Sequence, residues 1–214
     1  MGGNPRQRNT TNYSGTMEDF KLLNKYQKLA EIQDLNLIRA ERKRAAIYLQ
    51  ALRKEDKETI TYFEQFGHTA RHILMNERAY NRGLIFGFNE IKLNEYGWLE
   101  NAIFLDKETI EFPHREGWAV SNHITIAKGN NDKYTYCLSY SYNTGGGGYG
   151  LTVWGKVFNT RKECLIYALN DIKERLNSHS SDTDKYTKSV LKQIKLHLDE
   201  QTGRKAIQLS LFDM

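Results

Sequence analysis

The sequence predicts an α+β fold in which helices flank an antiparallel sheet, and three observations carry that expectation. Apolar residues recur at helical spacing from Phe20 to Leu74, and no proline interrupts the chain between Pro5 and Pro113. The period then changes to two, most cleanly over Tyr134–Tyr142, where side chains must alternate between the two faces of a strand. After Thr160 the helical period returns.

Residues 1–15 carry Gly, Asn, Thr, Ser and Arg with almost nothing to bury, which predicts a disordered tail. Thr16, followed by Glu18 and Asp19, suits a helix start, since acidic side chains favour the positive N-terminal end. Phe20, Leu23, Tyr26, Leu29, Ile32, Leu35 and Ile38 then recur at near-helical spacing, and Ile47, Leu49 and Leu52 prolong the pattern into one long helix. A second helix is expected from Asp56, with Ile60, Phe63, Phe66, Ala70, Ile73 and Leu74 on one face and Asn81-Arg82-Gly83 as its end. Together they make a helical region over residues 16–83.

Residues 84–178 are expected to form the antiparallel sheet and a helix. Ile85–Phe88, Asn101–Leu105 and Thr109–Phe112 read as short strands, with Asp106-Lys107-Glu108 as the turn joining the last two. Val120, Asn122, Ile124 and Ile126 alternate with Ser121, His123 and Thr125, and Gly129–Asp132 supplies a hairpin turn. Next comes the tyrosine strand, with Tyr134, Tyr136, Leu138, Tyr140 and Tyr142 on one face and Thr135, Cys137, Ser139 and Ser141 on the other. Gly145–Gly148 reads as a flexible loop and Leu151–Phe158 as a further strand, so about four to six strands are expected in all. Thr160 and Glu163 have the spacing of a capping box, ahead of a helix with Leu165, Ala168, Leu169, Ile172 and Leu176 inward. A Ser-rich linker, Asn177–Asp182, leads to a last helix over residues 183–202, which Gly203 closes ahead of a tail at residues 203–214.

Composition narrows the classes of function. At 214 residues the chain fits one domain, or one domain with a helical appendage, and 12% aromatic residues can build a core despite 27% charged residues. No run reaches the roughly 18 apolar residues of a membrane span, and the N-terminus lacks the apolar centre of a signal peptide. No membrane association is therefore expected. Two cysteines, Cys137 and Cys164, make no disulfide framework, which points to a reducing cytoplasm. The net charge of +5 suits an anionic partner such as DNA without requiring one.

The candidate sites have bland readings beside them. Arg39, Arg42, Lys43 and Arg44, with Arg53 and Lys54 beyond, form either a solvated helix face or a patch for nucleic-acid phosphates. Tyr136 and Tyr140 could stack bases from an open sheet face, or the tyrosine face could pack under the N-terminal helices. On that reading Cys137, opposite, could lie against the helix bearing Cys164. His68 and His72 are four residues apart on a helix, but no third ligand marks a metal site. His123 could be a base, although no partner identifies itself. The Gly145–Gly148 run lacks the Lys-Ser/Thr ending of a phosphate loop, no dinucleotide fingerprint occurs, and no cofactor is expected.

The tail is the strongest signal. Ile207, Leu209, Leu211, Phe212 and Met214 are apolar in a terminal segment, where such groups are usually avoided unless a partner buries them. Gln208-Leu209-Ser210-Leu211-Phe212 resembles the peptide by which bacterial polymerases and repair proteins bind the sliding clamp, and all five residues agree with that pattern. The resemblance implies polar contacts from Gln208 and a hydrophobic pocket filled by Leu211 and Phe212. About residues 117–177 also resemble uncharacterised small domains of phage and mobile-element proteins. The function expected is that of a DNA-associated accessory or regulatory protein of such an element, tethered to the clamp or blocking it. The alternative is a clamp-recruited nuclease with dispersed acids such as Glu90, Asp106, Glu108 and Glu111.

Overall fold

The computed structural model describes residues 19–113, 121–142, 145–179 and 185–203. Both the N-terminal tail of residues 1–15 and the segment 204–214 lie outside the described residues. The fold is α+β. The chain divides into two compact units, residues 1–75 and 76–214. The boundary falls inside a helix rather than at its end near Gly83, because the later residues of that helix bind segments of the second unit. Asn76 donates to Gly97 O and accepts from Leu99 N, while Arg82 donates to the carbonyls of Val153 and Gly155.

In the first unit, one expected long helix is two, α1 (Lys25–Asp34) and α2 (Arg39–Lys54), after a short 3₁₀ turn at Phe20–Leu22. Asn24 sets the first start. Its side chain accepts from the N–H groups of Tyr26 and Gln27, and Gln27 accepts back from Asn24 N, satisfying donors that a helix start leaves unpaired. The next helix, α3 (Lys57–Glu64), begins where Asp56 accepts from Thr59 N, and α4 (Ala70–Leu84) follows after a break. Phe20, Ile32, Tyr48, Phe63, Ile73 and Leu74 bury one core, with the rings of Tyr48 and Phe63 stacked 5.0 Å apart. Inside it Lys28 and Tyr48 both donate to Glu64, each at 2.8 Å.

The second unit carries a four-stranded antiparallel sheet in the order β1 (Leu105–Glu111), β2 (His123–Lys128), β3 (Tyr134–Tyr142), β4 (Gly145–Tyr149). Its helices are α5 (Arg161–His179) and α6 (Lys185–Thr202). Four expectations for the sheet region are corrected. Asp106, with φ of 46°, and Lys107 form a bulge within β1 rather than a turn, so the charged trio bends an edge strand without ending it. Ile85–Phe88 is a turn after α4, and Leu151–Phe158 is irregular apart from a single bridge between Phe158 and Tyr134. The four glycines, expected as a loop, belong to the edge strand β4.

The four glycines of that strand depend on having no side chains. A Cβ at Gly146 would lie 2.4 Å from Tyr140 O, and one at Gly148 would lie 2.7 Å from Leu138 O. On the other side, Cβ atoms at Gly145 and Gly147 would meet the hydroxyls of Tyr142 and Tyr140 at 3.0 and 3.1 Å. Large tyrosines on β3 therefore take the space that β4 leaves empty.

One face of the sheet is covered by α5. Leu165, Ala168, Leu169, Ile172 and Leu176 pack with Ile124, Ile126, Tyr136 and Leu138, and Val190 and Ile194 of α6 close the cluster. Each large apolar side chain there contributes about 1.5–3 kcal/mol by its burial. At the start of α5, Glu163 N donates to Thr160 Oγ1 at 3.2 Å, which is half of the expected capping box. Asn122, fully buried, fastens the α6 side: it accepts from Ser141 N and donates to Pro113 O and the Tyr186 hydroxyl. The opposite face is covered at one end, where Ala127 packs with Phe86 and Phe104 against Leu151 and Val153.

Candidate functional site

Among the described residues, three places hold side chains that could do chemistry or bind a ligand: the outer face of α2, the tyrosine strand with α5, and a cavity in the second unit.

Helix α2 carries six cations, and its one acid is removed from the surface. Glu41 is buried and accepts from Ile38 N at 3.0 Å, so its carboxylate caps the helix instead of neutralising the face. Arg39, Lys43, Arg53 and Lys54 are exposed along about 22 Å of helix, at 1.5 Å per residue. The other two cations are partly committed. Arg42 is exposed but donates from Nε to Leu37 O at 2.8 Å, and Arg44 lies over the Phe63 ring at 5.6 Å. Of the four residues expected to meet phosphate, Arg39 and Lys43 are therefore the best placed. Exchanging Arg39, Lys43 and Arg53 together for Gln is expected to weaken DNA binding by the full chain. It should also reduce the slope of log affinity against log salt by about 0.9 for each phosphate that the protein no longer neutralises. A titration at several salt concentrations checks this, and an unchanged slope would assign the face to solvent alone.

The tyrosine face packs against α5. Tyr136 is only 6% exposed, and its hydroxyl donates to Asp171 Oδ2 at 2.7 Å, which corrects the expectation that its ring is free for a base. Tyr140 is half-buried, with the Arg175 guanidinium 5.7 Å from its ring centre, and Tyr142 stacks on His179 at 4.5 Å. Cys164 also belongs to this cluster, so α5 meets the tyrosine side and Cys137 lies on the other. Burial pushes the Cys164 thiol up to about 12 and raises that of Cys137 too, which keeps both as packing groups.

Asp171 is the centre of this network, and the sequence reading passed over it. Besides Tyr136 it accepts from Tyr149 at 3.0 Å and from Arg175 Nε at 2.8 Å. Burial opposes its ionisation, but the bonds from Tyr136, Arg175 and Tyr149 outweigh burial and hold its carboxyl below the ordinary range. Burial first, and then the bond from Tyr136 opposed by that of Asp171, leave the Tyr149 phenol at about 12. The signal was present: an acid beside the apolar stripe of Ala168, Leu169 and Ile172, with Arg175 one turn later. A carboxyl depressed in the folded state contributes stability that is complete above the unfolded value of about 3.9 and disappears as pH falls through the folded value. Asp171→Asn is therefore expected to cost about 2 kcal/mol at pH 7, and the gap between the two proteins should close in acid. Urea melts at pH 7 and below pH 3 check the sign.

The other titratable candidates are separated. His68 Nδ1 lies 2.8 Å from Asp19, and His123 Nδ1 lies 2.9 Å from Ser121 Oγ. Burial, with the nearby His68 second, lowers His72. Glu108 is held by Arg161 and Asp106 by Lys128. Among the described residues no three His, Cys, Asp or Glu side chains converge on a point where a metal could sit.

The cavity, of about 310 Å³, was not legible in the sequence. Phe88, Leu99 and Val153 line it with apolar surface, Glu90, Lys92 and Glu100 with charge, and Tyr80 and Trp154 with large rings. Trp154 is 46% exposed, and the Arg78 guanidinium lies 4.5 Å from its ring centre. Lys92 pairs with Glu100 at 3.5 Å.

Comparison of the chain with protein-family models, with curated proteins and with solved structures finds no match in any of the three. No helix among the described residues is long and apolar enough to cross a membrane.

Proposed function

We propose that this is a DNA-associated accessory protein, of a phage or mobile element, tethered to the bacterial sliding clamp by Gln208–Phe212. The observation that carries the reading is that peptide: five residues of the clamp-binding pattern in a row. They lie outside the described residues, a short way after α6 ends at Thr202 and Gly203 takes a left-handed φ of 72°. A glycine in that conformation ends a helix and redirects the chain.

The cationic face of α2 supports the DNA part of the reading. Tethering raises its local concentration at DNA, so weak phosphate attraction is enough. A protein that blocks the clamp would use the same five residues. Of the four acids suggested for the nuclease alternative, Glu108 and Asp106 are engaged by Arg161 and Lys128. The proposed setting is the bacterial cytoplasm, where the clamp works.

The experiment is a pull-down and titration with purified bacterial clamp, using the full chain and a chain ending at Gly203. The full chain should bind and the shortened one should not. Equal behaviour of the two would remove the tail from the function.

A further inference from the structure

We propose that the cavity beneath Trp154 is a binding site for a nucleobase carrying an exocyclic amino group, adenine or cytosine above all. The proposal uses no residue of the tail or of α2.

Size and shape come first. A volume of about 310 Å³ is at the small end for ligand sites, which suits a single heterocycle and part of a sugar, not a large cofactor. The apolar lining of Phe88, Leu99 and Val153 would hold a flat, poorly hydrated body and would not hold a free phosphate.

Trp154 supplies a platform. Its indole is 46% exposed and already has a cation against its ring, from Arg78 at 4.5 Å. The guanidinium holds one face of the ring in position, so a base that stacks on the other face costs little further ordering. Aromatic stacking of one base contributes about 1–3 kcal/mol in single-strand binders.

The charged lining selects among bases. Glu90 and Glu100 bring two carboxylates to the lining, where Lys92 pairs with Glu100 and Arg78 sits beside Trp154, so Glu90 is the carboxylate without an ion pair to either cation. Carboxylates accept from amino groups, which adenine presents at N6 and cytosine at N4, whereas thymine presents a carbonyl oxygen there. The site therefore suits a nucleoside, or an unpaired base whose phosphates lie outside.

The test is calorimetric or NMR titration of the full-length protein with adenosine, cytidine, thymidine and adenosine monophosphate. Saturable binding of adenosine or cytidine is expected, at least tenfold tighter than thymidine, with no gain from the phosphate. Trp154→Ala should weaken adenosine at least tenfold. Ile103→Trp should do the same by filling the mouth, and Ile103 is 77% exposed, so the substitution leaves the core alone. Glu90→Gln with Glu100→Gln should bring adenosine and thymidine to within about threefold of each other. Absence of saturable nucleoside binding, or adenosine binding that survives both Trp154→Ala and Ile103→Trp, overturns the proposal. Clamp binding is measured separately, so a failure here leaves the tail reading intact, and a failure there leaves this one.

Discussion

Replacing Leu211 and Phe212 together with Ala is expected to abolish clamp binding while leaving the melting temperature within about a degree of the parent. The two side chains supply most of the apolar surface that a five-residue peptide can bury, roughly 3–5 kcal/mol before ordering costs. A docking peptide gives up chain entropy, so the parent affinity should be roughly micromolar, near 8 kcal/mol in total. Losing both anchors then takes binding beyond measurement, as truncation of the few central residues of an interface commonly does. Gln208→Ala should weaken binding less, since it removes polar contacts at the edge of the same site. Thermal melts distinguish this from a structural role. If the double variant melts several degrees lower and the parent shows no clamp binding, the tail packs on its own chain and the proposed function fails.

What the sequence disclosed depended on whether side chains alone decide an element. The alternation of β2 and β3 was legible because a buried face enforces period two: Ile124, Ile126, Tyr136 and Leu138 are all buried. The break between α1 and α2 was not, because Leu35 and Ile38 continue the apolar spacing through the very residues where the helix stops. The capping pair Asn24 and Gln27 was the available signal for that helix's true start. The glycines of β4 show no period, so the strand's place is set by Tyr140 and Tyr142 on its neighbour. Likewise the cations of α2 recur along one helix and can be read in order, although the inward turn of Arg44 over Phe63 cannot. The cavity gathers residues between Ala79 and Trp154 that only the fold brings together.

Gly129→Ala is expected to be the most damaging single substitution in the second unit, costing about 3 kcal/mol or more. Residues 129–132 turn the chain from β2 into β3, and this turn rests directly on the backbone after α4. An added Cβ would lie 2.1 Å from Phe86 O and 2.6 Å from Phe86 Cβ. Backbone cannot swing aside as a side chain can, so the turn and the Phe86 segment must separate. Separation strains the bonds that join them, from Asn131 Nδ2 to Ile85 O at 2.9 Å and from Asn130 Nδ2 to Gly87 O at 3.3 Å. It also loosens Phe86, which is fully buried and packs edge-on against Phe104 at 5.2 Å. A loss of about 3 kcal/mol corresponds to a melting temperature lower by roughly 6–12 °C for a domain of this size. Because Phe88 and Asn130 both line the cavity, adenosine binding should fall along with stability. Gly150→Ala is the control, since a Cβ there meets nothing within 4 Å and should leave the melt unchanged. Equal melting of Gly129→Ala and Gly150→Ala would show that the turn does not rest on Phe86.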